Sequence, residues 1–185
     1  MSQDLEKQML DLYLEINEKQ KKLLEIKKNM DPFEVEDYEF TNLEGKLKLS
    51  NLFGDFNELI LVYNMGSKCP YCALWADEYN GVYKHLSSRA AFVVSTPDKP
   101  EVHQKLIEKN SYKFSMIQSS QSFRQKMKFE TQDNKHLPGF SVFQKTNDGK
   151  IIHITKDFFG PGDLYCGVWH FFDLLPSNKE WHPSL

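Results

Sequence analysis

The sequence predicts an α/β protein: a mixed sheet with helices on both faces, preceded by a helical arm. Three observations lead there. Residues 1–30 contain neither Gly nor Pro and repeat apolar residues at alternating four-three spacing. Beyond them, short apolar runs separated by turn residues follow the order strand, helix, strand, helix, for which a right-handed parallel crossover is the default. Later, Asn147-Asp148-Gly149 divides two apolar runs, and Asp-Gly tolerates the positive φ angles of a tight hairpin. The chain has 185 residues, 40% of them hydrophobic, enough for one core and short for two. The expected division is therefore an arm over residues 1–30 and a single domain over residues 31–185.

In the arm the spacing falls on Leu5, Met9, Leu12, Ile16, Leu23, Ile26 and Met30, with Lys19 in the one polar slot. Asp4, Glu6 and Asp11 come early and Lys27 and Lys28 late, which complements the helix macrodipole, and Asp31-Pro32 ends the helix. Such a helix either packs on its own domain or forms a dimer through a short coiled-coil seam. Next, residues 38–40 and 46–49 pair as a hairpin around Glu44-Gly45, and Ser50 caps a turn holding Leu52 and Phe53. Leu59-Ile60-Leu61-Val62-Tyr63 is continuously apolar, as in a strand covered on both faces. A polar loop over 64–68 leads to Pro70, well placed in the first turn of a helix running to about residue 87. Residues 91–95 make a second buried strand, 97–110 a helix with Val102, Leu106 and Ile107 on one side, and 114–117 a further extended segment. The polar stretch 118–136 is irregular apart from a short helix near 123–127. Leu137-Pro138-Gly139 then enters the hairpin of 140–143 and 151–154. Gly160-Pro161-Gly162 breaks the chain, Asp163 caps a last helix over 164–175, and Pro176 ends it. The tail, 177–185, reads as loose, with Trp181 available to dock.

Composition narrows the function. Acidic residues outnumber basic ones 26 to 23, and Arg89 and Arg124 are the only arginines, so no surplus of cations exists to neutralise a phosphate backbone. Nucleic acid is not an expected partner. The apolar runs are far shorter than the roughly 20 residues that cross a bilayer, and Met1-Ser2-Gln3-Asp4 is too charged to open a signal peptide. The expectation is a soluble cytoplasmic protein without a membrane partner. No Gly-rich phosphate loop is present, since no lysine follows Gly160-Pro161-Gly162, so no organic cofactor is implied. Three cysteines do not make a secreted disulfide framework, and in a reducing compartment the pair Cys69 and Cys72 needs another use.

That use is legible in Cys69-Pro70-Tyr71-Cys72. A dithiol is a redox couple when one sulfur attacks as thiolate and a second resolves the mixed disulfide. At the start of a helix the first sulfur faces free backbone N–H groups and the positive end of the dipole, and the second lies one turn in. Cys69 is then the attacking thiolate, with Lys68 adding positive charge, and Cys72 the resolving thiol. Pro70 starts the helix and removes one N–H.

The strand, loop, Cys-x-x-Cys and helix, followed by Pro138 immediately before a hairpin strand, resemble the thioredoxin superfamily over about residues 59–175. The resemblance implies a thioredoxin-like fold, a cis proline at Pro138 facing the dithiol, and exchange with a disulfide-containing protein or small thiol substrate. Cys-Pro-Tyr-Cys is also the pattern of glutaredoxins, but their Thr-Val-Pro and Gly-Gly features for glutathione are absent. A closer resemblance is to a bacterial thioredoxin-like family known as a domain of unknown function, which carries Cys-x-x-Cys-x-Phe/Trp-Trp-Ala-Asp. Here the segment reads Cys69-Pro70-Tyr71-Cys72-Ala73-Leu74-Trp75-Ala76-Asp77, with Leu74 replacing the aromatic residue, and the likeness continues through 160–163 and 169–174.

Competing readings attach to the same residues. Asp77 either relays a proton to the resolving sulfur from a buried position or is a surface charge or a local hydrogen-bond partner. Trp75 and Tyr71 frame a substrate groove, or Trp75 is core. His136 either tunes the sulfurs or is a solvated loop residue. Cys166 and His170, four apart on the expected last helix, would complete a zinc site with the dithiol, against the plainer reading of a buried thiol and a structural imidazole. The leading hairpin resembles peroxiredoxins, whose reactive cysteine follows a threonine by three residues and relies on an arginine; here Cys69 stands in the threonine's place relative to Cys72. Last, the fold could act without chemistry, presenting the main-chain edges of Pro138 and the 65–68 loop to an extended peptide. No metal is expected, and a homodimer through the arm is open.

Overall fold

The computed structural model describes residues 2–177 and 179–185. In chain order these form α1 (Ser2–Lys28), β1 (Phe33–Val35), β2 (Glu39–Asn42), β3 (Gly45–Lys48), a 3-10 turn (Leu49–Phe53), β4 (Glu58–Tyr63), α2 (Pro70–Gly81), α3 (Tyr83–Leu86) and β5 (Ala91–Thr96). They continue with α4 (Pro100–Asn110), β6 (Ser115–Gln118), α5 (Gln121–Lys126), β7 (Gly139–Lys145), β8 (Ile151–Phe158) and α6 (Val168–Phe172). The strands make one mixed sheet in the order β1-β8-β7-β4-β5-β6-β2-β3. β4, β5 and β6 run parallel, while β7 lies antiparallel to β4 and β8. No helix among the described residues is long and apolar enough to cross a membrane.

Period-two alternation along β4 organises the interior. Leu59, Leu61 and Tyr63 enter one cluster with Phe40, Phe53, Phe123, Phe129 and Phe143. Ile60 and Val62 face the other, which holds Cys72, Trp75, Tyr79, Phe92, Phe114 and Cys166. α5 and the 3-10 turn cover the first face; α2, α4 and α6 cover the second. Every β4 side chain after Glu58 therefore has a buried or half-buried environment, which is why the run lacks polar interruptions.

Several elements depart from the sequence expectation. The helix expected to reach residue 87 breaks at Val82, whose φ of −102° and ψ of 7° leave helical space after Gly81. The chain restarts as α3, and the Tyr83 ring turns edge-on to Phe92 and Phe114. Ser50 is no cap: its N–H and hydroxyl both donate to Asp37, while the Asn51 side chain accepts the Lys48 N–H at 2.7 Å. The last helix is α6 alone: Asp163 accepts the Tyr165 N–H as a cap would, but its carboxylate is also held by Trp75 and Gly160, and no helix follows before Val168. Cys166 consequently lies outside α6, off any helical face shared with His170. α1 touches its own domain only at its last turn, through Lys27 on Asp157; Leu5, Leu12 and Ile16 are all exposed.

The peptide before Pro138 is trans, since no cis bond occurs among the described residues, and this corrects the cis assignment. The flanking backbone is tied extended: Leu137 N–H donates to Phe129 O, Phe159 N–H to Pro138 O, and Gly139 pairs with Tyr63 and Phe158. Gly139 has no room for a side chain. A β-carbon there would lie 2.2 Å from Asp157 O, 2.6 Å from the Phe129 ring and 2.9 Å from Phe158 Cα. Two of those neighbours are backbone and cannot yield without parting β7 from β8. Gly139→Ala is expected to cost about 3 kcal/mol, a drop of roughly 6–12 °C in Tm for a chain of this size. Gly160→Ala, with nothing within 4 Å, should stay within about 0.5 kcal/mol; paired thermal melts of the two variants check this.

Candidate dithiol site

β4 delivers the chain to Asn64, and the loop that follows is fastened before the helix begins. Asn64 N–H donates to Ser95 O at the end of β5, and the Asn64 side chain accepts the Tyr79 hydroxyl at 3.0 Å. Ser67 N–H donates to Asp98 Oδ2 at 2.6 Å, and Asp98 is itself set by its own N–H donating to Thr96 Oγ1. Cys69 then takes the N-cap position of α2, with φ of −95° and ψ of 107°, and Pro70 begins the helix where a missing N–H costs nothing.

The cap makes the two sulfurs unequal. Cys69 Sγ accepts the Cys72 N–H at 3.2 Å, the role an oxygen plays in an ordinary N-cap. Its thiol pKa falls to about 6, chiefly through the hydrogen bond from the Cys72 thiol, with burial opposing and the Cys72 and Tyr71 N–H groups helping. Cys72 moves the other way, pushed far up by donating to Cys69, by burial and by the Cys69 charge, although Met65 N–H donates to its sulfur at 3.2 Å. Cys69 is half-buried; Cys72 is 2% exposed. Lys68 is exposed and is not among the groups that lower the Cys69 pKa, so the acidity comes from the helix start and the second thiol.

Both cysteines line a cleft of about 200 Å³ together with Asn64, Asp77, Thr96, Lys109, Tyr112 and the tail residues Ser184 and Leu185. Asp77 is on the cleft wall but exposed, accepting the Tyr112 hydroxyl at 3.2 Å, which corrects the idea of a buried carboxylate behind the dithiol. Trp75 is core: 2% exposed, its Nε1–H donating to Asp163 at 3.1 Å and its ring against Phe159 and Trp169. Tyr71 lies outside it, stacked on Trp169 and hydrogen-bonded through its hydroxyl to His182 Nδ1 at 2.7 Å. Register between Tyr63 and Gly139 brings Pro138 to the same end of the sheet as the dithiol loop. Its carbonyl is taken by Phe159, so this edge is not free for an extended peptide.

Other expectations separate from the site. His136 lies 3.2 Å from Glu130, in a buried network where Arg124 also binds Glu130 and Ser119. Cys166 is fully buried, and the described residues contain no group of three or more metal-binding side chains. The tail is not loose over its last residues: Trp181 packs edge-on to Phe172, His182 holds Tyr71 and Pro183 is buried. Sequence reasoning missed Asn64, Asp98, Tyr112 and His182. Asp98, in Thr96-Pro97-Asp98-Lys99-Pro100, had a turn signal; the rest act over distances that local pattern does not encode.

Residues 3–183 match the family described as bacterial protein of unknown function, DUF899. No curated protein matches. Among solved structures, peroxidoxin BcpB of Mycobacterium tuberculosis is similar at a TM-score of 0.54 and 18% identity, over 68% of this chain and 83% of that one. Reduced Prx3 of Vibrio vulnificus gives 0.60 at 11% identity, over 78% and 97%. A hypothetical protein of Sinorhizobium meliloti gives 0.51 at 13%, over 73% and 75%. At these identities the likeness establishes the thioredoxin-like α/β fold.

Two measurements follow from this geometry. Iodoacetamide labelling of Cys69, read by mass spectrometry, should rise with pH through a midpoint near 6 and level off above pH 7, with Cys72 unlabelled. In Cys72→Ala the midpoint should move up toward the ordinary thiol range of about 8.5; an unmoved midpoint would remove the assigned cause. Tyr71→Phe, which cuts the tie to His182, should raise the labelling rate of Cys69 at saturating pH by about fivefold, the worth of one hydrogen bond of about 1 kcal/mol.

Proposed function

The chain belongs to the DUF899 family of bacterial proteins of unknown function, and we propose that it is a thiol-disulfide oxidoreductase working through Cys69 and Cys72. The observation that carries this reading is the asymmetry of the pair: an acidic, half-exposed sulfur capping α2 and a buried, protonated one a turn behind it. The thioredoxin-like fold is compatible with it.

The chemistry follows from that asymmetry. Cys69 thiolate attacks one sulfur of a substrate disulfide; the substrate S–S bond breaks, a Cys69–substrate S–S bond forms, and the leaving sulfur departs as thiolate and takes a proton. Cys69 is then neutral. Its charge and its pull on the Cys72 thiol, two of the causes that hold Cys72 protonated, are gone. Cys72 now releases its proton and attacks Cys69 Sγ, forming the Cys69–Cys72 disulfide and expelling the second substrate sulfur, which is protonated. The substrate gains two electrons and two protons, and a second thiol reductant returns them to the protein. Reversed, the same steps oxidise a dithiol. Trp75 and Asp163 hold α2 from behind. No organic cofactor or metal enters these steps.

Peroxide reduction is the second reading, since the similar structures include proteins named as a peroxidoxin and a Prx. Against it, the sulfur that the peroxiredoxin spacing would make reactive is Cys72, the buried and protonated one.

Cys72→Ser should accumulate a mixed disulfide with a model disulfide peptide, and Cys69→Ser should lose exchange by at least about a thousandfold. The wild-type protein should consume hydrogen peroxide far more slowly than disulfide. A Cys72→Ser protein that captures no peptide while Cys69 still alkylates, or peroxide turnover that survives Cys69→Ser, overturns the proposal.

A further inference from the structure

α1 leaves an apolar seam, broken at Lys19, without a partner among the described residues. Leu5, Met9, Leu12, Ile16, Leu23 and Ile26 repeat at heptad spacing and are between 46% and 67% exposed. Charge along the helix is strongly polar: residues 4–18 carry five carboxylates and one lysine, and residues 19–28 carry five lysines and one carboxylate. The pattern suits the helix's own dipole, but it also restricts what can cover the seam.

We propose that α1 pairs with α1 of a second copy of this chain as a two-stranded antiparallel coiled coil. Aligned antiparallel, the seam closes in register: Met9 layers with Ile26 of the other copy, Leu12 with Leu23, and Ile16 with Lys19, while Leu5 comes level with Met30, two residues beyond the end of α1. Lys19 then lays its stem over an isoleucine while its ammonium stays on Glu15 of its own helix, 2.5 Å away. Flanking the seam, Glu15 faces Lys22 of the other copy, twice by symmetry. The parallel alternative is penalised at the same positions. It sets Lys19 against Lys19 within one layer and Lys22 against Lys27 at its edge.

The base of the helix supplies an independent observation. Where α1 meets its domain, a cleft holds Met30 and Phe33 and is bordered by Lys126, Lys128 and Lys156. Lys128 lowers the pKa of Lys156, second to burial, so the lysines repel one another across the cleft. In the antiparallel register the first turn of the second copy reaches this cleft, bringing Leu5 to its apolar lining and Asp4 and Glu6 to its lysines. At about 1.5 Å per residue, the paired helices span about 40 Å and hold the two domains, with their dithiols, at opposite ends.

Sedimentation equilibrium on the full chain, with circular dichroism and thermal melting as checks on the domain, tests this. The wild-type protein should be a dimer at high micromolar concentration, and L12D/I16D a monomer whose domain melts as before. Lys22→Glu should weaken association about tenfold by setting a carboxylate against Glu15 of the other copy, and E15K/K22E should restore it. A monomeric wild type, or a trimer or tetramer, overturns the proposal. So does tighter association of Lys22→Glu, the result a parallel pair would give.

Discussion

Double-sided burial of β4 is the constraint from which the rest follows. A strand covered on both faces cannot be solvated anywhere along its length, so its N–H and C=O groups must all be spent on neighbours, here parallel β5 and antiparallel β7. Parallel pairing with β5 requires a crossover, and α2 and α3 supply it on the face of Val62 and Trp75. The C-terminal end of β4 must then turn out of the sheet at one place, and Cys69 is five residues beyond that turn. Gly139 serves the same constraint from the β7 side, where the close approach of Asp157 and Phe158 leaves space for hydrogen alone.

Local pattern made much of this visible. The apolar run of β4, the Pro at the first turn of α2, the Asp-Gly hairpin and the heptad spacing of α1 are written in consecutive residues, and each corresponds to an element that begins at or near the expected residue. The departures come where a distant group outbids a local one. Asp163 has the residue type of a helix cap and accepts the Tyr165 N–H as a cap would, but the distant Trp75 indole also claims its carboxylate, and the helix starts only at Val168. Val82 is compatible with a continuing helix, and the break there goes with the fit of Tyr83 against Phe92 of β5 and Phe114 just before β6. His136 lies beside Glu130, six residues earlier, which is buried and paired with Arg124, and its ring belongs to that network.

The dithiol was legible as a motif, and the direction of its asymmetry with it, because a helix that starts at Pro70 puts Cys69 at the N-cap and Cys72 inside the first turn. What consecutive residues do not encode is the burial of Cys72 and the hydrogen bond between the two thiols. The cap exposes Cys69 to N–H groups with no helical acceptor, and burial denies Cys72 any compensation for charge. The basic residue that seemed to matter, Lys68, is exposed to solvent, where a charge is well screened. Asp98, absent from the motif, does more: by holding the Ser67 N–H it fixes the loop that places Cys69, and its negative charge also helps keep Cys72 protonated.

The same chain therefore contains two kinds of order with different sources. In the domain, position is set by burial: the residues around the dithiol are held by contacts from β4, β5, α4 and the tail, none of them adjacent in sequence. In α1, position is set by periodicity and charge, because almost nothing packs against it. A helix of this length can persist by its own hydrogen bonds and its own charge pattern, but the six apolar side chains of its seam gain nothing by facing water. Their burial needs a surface that repeats every three and four residues and carries the opposite charge order. Within this chain, α1 itself read in reverse meets both conditions.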